Sequence, residues 1–160
     1  MNLAYAAGFI DGEGCIGFTT CRGSFAPRVI ITNTQKEILE DFVMEFGGSV
    51  HKATRPKNKL HWKTAYHYYA THVTAINLLS RVSDYLKLKT EQANCLFAFD
   101  AIRPGKGYSW SEDGKEAVEL IKEYLHWLNF KGNGRPEKSP IDVVLEALSK
   151  AGKGKKKKKK

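Results

Sequence analysis

The chain carries two closely spaced carboxylates, Asp11 and Glu13, at the end of a segment rich in small and apolar residues. That segment, YAAGFIDGEG from Tyr5 to Gly14, has the apolar spacing of a helix, so both acids are expected near its C-terminal end. Unpaired carbonyls already give a helix C-terminus partial negative charge, which disfavours a carboxylate there. Because a bound divalent cation offsets such charge, Glu13 is predicted to be a metal ligand.

A second stripe of the same predicted helix has almost no side chains. It repeats at i, i+4 and i+8 and consists of Ala4, Gly8 and Gly12. Glycine costs about 1 kcal/mol relative to alanine inside a helix, so two glycines four residues apart favour close approach by another helix. The stripe therefore predicts a helix-to-helix interface, with the second helix coming from a second subunit. Gly14 is expected to end the helix in a left-handed conformation.

Alternating and helical patterns follow along the rest of the chain. Four strands are predicted, over residues 15–22, 27–34, 49–55 and 61–70. Helices are predicted over residues 34–42, 71–85, 90–102, 112–130 and 139–150, the last two with Ser111 and Ser139 as N-caps. The fold class is thus α+β, with helices covering one face of an antiparallel sheet and the other face free. A single domain is expected over residues 1–152, with a disordered lysine tail over residues 153–160.

Residues Ala6 to Gly14, AAGFIDGEG, lie on the nine-letter motif of the LAGLIDADG homing endonucleases, which the chain resembles. The glycines, the apolar pair and both acids match, whereas Ala6 replaces leucine and Glu13 replaces aspartate. TQKEILEDF from Thr34 and YLKLKTEQAN from Tyr85 resemble further family segments in the expected order. The resemblance implies an αββαββα-like core whose antiparallel sheet forms a DNA-binding saddle. Since the motif occurs once, it also implies a homodimer.

The resemblance further implies an active site that hydrolyses phosphodiesters of both DNA strands across the minor groove, leaving short 3′ overhangs. Glu13 and the backbone carbonyl of Gly12 would bind Mg²⁺, for which Mn²⁺ can substitute. Lys89 matches a lysine near the cleaved phosphate, with Lys87 as its natural comparison, and Gln35 matches a glutamine that orients water. Asp11 is assigned to the catalytic set, where it either holds water molecules or ties down the helix end.

The free sheet face is the expected surface for the DNA major groove, where base pairs present distinguishable patterns. Strand alternation gives seven candidate DNA-binding residues: Thr19, Arg28, Thr32, His51, Arg55, Tyr66 and Tyr68. The tyrosines belong to YHYY, which is aromatic on both faces, so they could equally be core. Two such sheets about a dyad would read a near-palindrome on the order of 20 base pairs.

Composition limits the function classes without selecting one. The net charge of +9 includes seven lysines at positions 153 and 155–160, and without them 19 basic residues stand against 17 acidic ones. The tail alone therefore does not identify a nucleic-acid partner. Three cysteines without metal-type spacing favour a reduced, intracellular compartment, and neither a signal peptide nor a membrane span is expected.

Other chemistries find little support in the sequence, which has no Gly-rich phosphate loop, nucleophile elbow or Cys/His zinc pattern. The main alternative is an intron-encoded RNA maturase, or a protein that binds nucleic acid without cutting it. The retained acids favour cutting, although Glu13 could persist in a protein that has gained an RNA role.

Overall fold

The computed structural model describes residues 1–21, 24–54, 61–105, 109–130 and 141–154. Its contacts group the chain into two compact units, Met1–Ala93 and Asn94–Lys160. The first unit contains α1 (Leu3–Glu13), β1 (Gly14–Cys21), β2 (Ser24–Asn33), α2 (Lys36–Phe46), β3 (Ser49–Lys52), β4 (Tyr66–Thr71), α3 (Val73–Val82) and a 3-10 turn (Ser83–Tyr85). Helix α4 (Thr90–Ile102) crosses the boundary, and the second unit continues with α5 (Glu112–Asn129) and α6 (Ile141–Gly154).

The four strands form one antiparallel sheet in the order β1-β2-β4-β3. Helices α1, α2 and α3 contact its strands. The larger buried sheet residues share one strand parity and comprise Ile16, Val29, Ile31 and Tyr68 together with Ala70, whereas the small residues Gly17 and Ala26 are buried at the other parity. Alternate side chains point to opposite faces of a sheet, so one face packs on the helices and the other remains uncovered by the described part of the first unit. The predicted α+β class is confirmed.

An aromatic cluster joins the helices to the buried sheet face. The Phe42 ring lies 5.8 Å from that of Phe9, 5.7 Å from that of Phe46 and 5.5 Å from that of Tyr68 between centroids. Tyr68 is fully buried, and its hydroxyl donates to the Gly47 carbonyl over 2.9 Å. This bond ties the sheet to the turn between α2 and β3, where Gly47 and Gly48 both have positive φ.

Tyr68→Phe is expected to lower the free energy of unfolding by about 1 kcal/mol, because the hydrogen bond from the Tyr68 hydroxyl to the Gly47 carbonyl is lost. Urea unfolding measures the change. Tyr69→Phe, on the opposite sheet face, is the matched control and should stay within about 0.5 kcal/mol of the wild type.

Burial also raises the pKa of Tyr68. The associated stability is complete below the ordinary tyrosine pKa of 10.0 and is lost as the pH rises above it.

Glycine is required at Gly14 for a reason that differs from the sequence expectation. Its φ is −79°, so the predicted left-handed helix end is wrong. A Cβ at this position would instead lie 2.5 Å from the Ile10 carbonyl oxygen. The Gly14 amide donates to that same oxygen, which closes the last turn of α1 while the chain enters β1 directly. Close backbone packing therefore explains the glycine.

Several predicted element ends shift in the structure. The fourth strand begins at Tyr66, the third ends at Lys52, and α3 begins at Val73 after a positive φ at His72. Helix α2 begins at Lys36 and continues to Phe46. Local aromatic and β-branched content extended the strand predictions beyond the residues that have ladder partners.

The second unit contains the two C-terminal helices that the sequence predicts. Ser111 caps α5 by accepting a hydrogen bond from the Gly114 amide at 3.1 Å, and α5 contacts α6. Helix α6 extends to Gly154, two residues into the predicted tail. The predicted Ser139 cap and residues 155–160 lie outside the described residues. No described helix is long and apolar enough to cross a bilayer.

Candidate active site and nucleic-acid interface

The C-terminal end of α1 presents both predicted metal-binding residues at the surface. Glu13 is the last residue of the helix and is exposed, as is Gly12 before it. A Cβ built at Gly12 would meet nothing within 4 Å, so the backbone there is open to approach. The carboxylate and the carbonyl of Gly12 thus offer hard oxygen donors at one accessible helix end.

Asp11 is buried and holds the chain that follows the 3-10 turn. One carboxylate oxygen accepts from the Lys87 amide at 2.7 Å, and the other accepts from the Lys89 amide at 3.0 Å. The Lys89 ammonium donates to the Asp11 backbone carbonyl. Asp11 is only 9% exposed, so these bonds favour the tie-down role that the sequence left open over a role in holding water. It is a positioning residue for Lys89.

Asp11→Asn is expected to lower the free energy of unfolding by about 1–3 kcal/mol. The replacement amide can accept at one oxygen only, so one of the two backbone donors is left unsatisfied. Asp84→Asn, an exposed position in the neighbouring 3-10 turn, is the control and should change stability by less than about 0.5 kcal/mol. Denaturant unfolding of both variants measures the change. A loss of stability in Asp11→Asn alone would show that the Asp11 carboxylate stabilises the fold through these hydrogen bonds.

Lys89 and Lys87 have different surroundings although they lie two residues apart. Lys89 is half-buried and directs its ammonium to the end of α1, while Lys87 is exposed. The sequence distinguished these two lysines by resemblance alone. The structure adds a physical reason, since only Lys89 brings a cation beside the helix end that carries Glu13.

Gln35 lies at the same end of the sheet. It precedes α2 and is exposed. Its backbone amide donates to the Asn33 side-chain oxygen over 2.9 Å. Ile31 of β2 pairs with Gly14, the residue after Glu13. Gln35 therefore follows β2 at the sheet end where Glu13 lies. The placement is consistent with the predicted role in orienting water.

The described chain offers too few protein ligands to enclose a metal ion alone. Within residues 1–21, 24–54, 61–105, 109–130 and 141–154, no group of three or more His, Cys, Asp or Glu side chains could hold one. One carboxylate and one helix-end carbonyl suit a hard divalent cation that keeps several water ligands. A second copy of the helix end would double this donor set.

The small-residue stripe of α1 is uncovered within the described first unit. Ala4, Gly8 and Gly12 are exposed, and a Cβ at either glycine would meet nothing within 4 Å. Tyr5, beside the stripe, is 53% exposed. The opposite stripe is buried through Ala6, Ala7 and Ile10, so the helix has one packed face and one free face.

The register defines three cross-strand rows of the uncovered sheet face near the end of α1, and further pairs of the same parity, such as Thr19 with Ala26, follow along β1 and β2. The outer row contains Gly17, Arg28 and Thr71, the middle row Cys15, Ile30, Tyr69 and Ser49, and the inner row Thr32, His67 and His51. Neighbouring rows are separated by two residues along each strand, which is about 7 Å. The inner row is nearest Glu13, because Gly14 pairs with Ile31, the residue before Thr32.

The strand register shows on which sheet face each predicted DNA-binding residue lies. Thr19, Arg28, Thr32 and His51 have the parity of the uncovered face, as the alternation predicted. The placements of Tyr66 and Tyr68 on it are wrong, because Tyr68 is fully buried and Tyr66 shares its parity. Arg55 lies outside the described residues.

His67 and Tyr69 take the places that the sequence assigned to the two tyrosines. The segment YHYY is aromatic at both parities, so hydrophobic alternation could not orient β4. The pairing of β4 with the unambiguous strand β2 could have done so, since Ile31 opposes Tyr68 and Thr32 opposes His67. Non-local pairing therefore decides which side chains face outward.

Arg28 has an unpaired polar group on this face. Its Nε is buried and makes no hydrogen bond to the described residues. The terminal nitrogens of a guanidinium can hold a phosphate or read the edge of a guanine.

Comparisons with known proteins identify the fold. No family profile and no curated sequence matches the chain. Among solved structures, the homing endonuclease I-CvuI in complex with its target is 22% identical, with 94% of each chain covered and a TM-score of 0.62. The archaeal intron-encoded homing endonuclease I-Vdi141I, complexed with DNA, is 20% identical over 93% of this chain and 95% of its own, with a TM-score of 0.64.

A third solved structure shows the same fold in a longer chain. The LAGLIDADG meganuclease I-CpaMI, bound to uncleaved DNA, is 18% identical with a TM-score of 0.60, and the match covers 94% of this chain but 50% of that one. The chain therefore has the fold of the LAGLIDADG homing endonucleases, as the motif predicted. At sequence identities this low, the structural similarity establishes the fold alone.

Proposed function

We propose that the chain is a site-specific, double-strand DNA endonuclease that acts as a homodimer. One observation carries the proposal: Glu13 is exposed at the end of an α1 stripe that is bare of side chains, beside an uncovered four-stranded face. Two copies paired along this stripe bring two carboxylates together and place one sheet on each side. The solved relatives with the same fold are homing endonucleases in complexes with DNA.

Each sheet would lie in a major groove, with the paired helices between them over the minor groove. Two grooves about one helical turn apart give a near-palindromic site on the order of 20 base pairs. Arg28 supplies a cationic donor and Thr32 and His51 supply polar groups on each sheet. Cleavage across the intervening minor groove leaves short 3′ overhangs and, in an intracellular setting, serves intron homing.

Divalent metal fits the donors at the helix end. Glu13 and the Gly12 carbonyl of each copy would hold Mg²⁺, which supplies an activated water and stabilises charge on the phosphate. I-CvuI, which has the same fold, was crystallised with DNA in the presence of 2 mM Ca and also of 2 mM Mg, the latter with DNA not cleaved. Mn²⁺, which favours similar oxygen ligands, is expected to substitute.

Lys89 supports the reaction from the protein side. Asp11 fixes its backbone, and its ammonium lies at the end of α1, where a cation can offset charge that develops on the phosphate. Gln35, exposed just beyond β2, would orient the attacking water through its side-chain amide. In this proposal Lys89 offsets charge on the phosphate, Gln35 orients the attacking water, and Glu13 binds the metal.

Lys89→Ala is expected to slow the cleavage step by about 10²-fold, the cost of removing one preorganised charge partner. DNA binding should change by less than about threefold, because the cation acts mainly on transition-state charge. The exposed Lys87 is the control, and Lys87→Ala should leave single-turnover cleavage within about threefold. Equal losses of binding and cleavage in Lys89→Ala would make Lys89 a phosphate anchor instead.

The proposal is tested by incubating the purified protein with Mg²⁺ and a randomised duplex library, followed by sequencing of any new DNA ends. Breaks centred on one long near-palindrome, and their absence when EDTA replaces Mg²⁺, are the expected result. A structured intron RNA is included as a second substrate. Tight RNA binding without any DNA breaks would overturn the endonuclease in favour of a maturase role.

A further inference from the structure

Two histidines on the inner row of the uncovered sheet face are arranged as a pair. His51 of β3 and His67 of β4 are direct cross-strand partners. The Tyr69 ring packs against both, with centroids 5.8 Å from that of His51 and 5.9 Å from that of His67. The pair is therefore held in one place by the sheet and by a shared aromatic neighbour.

Each ring has a hydroxyl partner that fixes one of its nitrogens. Nδ1 of His67 lies 2.7 Å from Oγ1 of Thr32, and Nε2 of His51 lies 3.0 Å from Oγ of Ser49. A hydroxyl can donate or accept, so it tolerates either tautomer of the neutral ring. In His67 this leaves Nε2 for a partner beyond the sheet, as an acceptor or a donor according to the tautomer. Protonation makes both ring nitrogens donors.

The described strands place little formal charge beside the two histidines. The other titratable groups of this parity on the described strands are Cys15, Arg28 and Tyr69, and the only formal charge among them belongs to Arg28, two rows away from His67. Glu13 lies beyond the inner end of the row, and α1, α2 and α3 pack on the opposite face. No carboxylate of the described strands pairs with the histidines.

We propose that His67, supported by Thr32, His51 and Tyr69, is a specificity-determining residue whose base preference changes with pH. The proposal rests on the proposed DNA-binding function and deepens it. A neutral ring can accept from an adenine or cytosine amino group or donate to an acceptor. An imidazolium can only donate, which favours the O6 and N7 acceptors of guanine. The inner row adjoins Glu13, so the affected base pairs are those nearest the cleavage centre.

The test is a binding selection from a randomised duplex library at pH 6.0 and at pH 8.0, without Mg²⁺, using wild type, His67→Gln and His126→Gln. Gln keeps a donor and an acceptor but does not titrate. The wild type is expected to recover two consensus sequences that differ at one symmetric pair of inner positions, with guanine enriched about tenfold at pH 6.0. His67→Gln should recover one consensus at both pH values. His126, exposed on α5, is the control, and its variant should behave as the wild type does.

Each result is informative about a different claim. A wild-type consensus that is identical at both pH values would overturn the histidine proposal while leaving sequence-specific DNA binding intact. A pH-dependent change that persists in His67→Gln would also overturn it. Recovery of no consensus at either pH would contradict the proposed function itself, and the inference with it.

Discussion

Glu13→Gln is expected to lower the rate of the proposed Mg²⁺-dependent cleavage by at least about 10³-fold, the largest chemical effect that the proposed site predicts. The amide cannot supply the charged oxygen that a hard cation needs at the end of α1. Binding to the recognised duplex should stay within about threefold, because Glu13 lies at the end of α1 and not on the rows of the sheet face. Single-turnover cleavage and equilibrium binding on the same duplex measure the two effects separately.

Glu37→Gln is the matched control for this experiment. Glu37 is an exposed acid in the first turn of α2, outside the end of α1. The control should cleave at the wild-type rate within about threefold. Equal cleavage by Glu13→Gln and the wild type would remove the metal role from Glu13.

Gly8→Leu is expected to convert the protein to a monomer and to remove its cleavage activity with it. Gly8 is exposed with open space around its Cβ position, so leucine fits the isolated chain and raises helix propensity by about 0.8 kcal/mol. In the proposed dimer the same side chain would occupy the space that the second helix needs. Sedimentation velocity should show loss of the dimer, while thermal unfolding shows a folded protein.

A graded series separates this effect from general damage. Gly8→Ala adds one methyl group and should weaken the dimer less than Gly8→Leu does. Ser80→Leu places leucine at an exposed position of α3 and should leave the dimer intact. A dimer that is unaffected by Gly8→Leu would show that the chain associates through another surface.

The sequence predicted α1 and its glycine stripe because their signal is local. The glycine spacing, the acids and the helix pattern all lie within Tyr5 to Gly14, and the structure exposes the residues that this pattern left without side chains. The role of Gly14 was missed for the same reason. A left-handed helix end and a close approach to the Ile10 carbonyl both require glycine, and the sequence does not distinguish them.

The sheet face was predicted less well because its orientation depends on non-local pairing. Strands β1 and β2 alternate clearly and were oriented correctly, whereas β4 carries aromatic residues at both parities. Its register with β2 buries Tyr68 and turns His67 outward. Likewise, the two oxygens of Asp11 bind amides 76 and 78 residues away, a contact that spacing cannot reveal.

In the proposed enzyme, one chain forms half of the active assembly and a second copy completes it. Native mass spectrometry of Glu13→Gln bound to the recovered duplex measures this stoichiometry, since the variant should bind without cutting. Two chains on each duplex are expected. One chain on each duplex, together with double-strand cleavage by the wild type at the same stoichiometry, would contradict it.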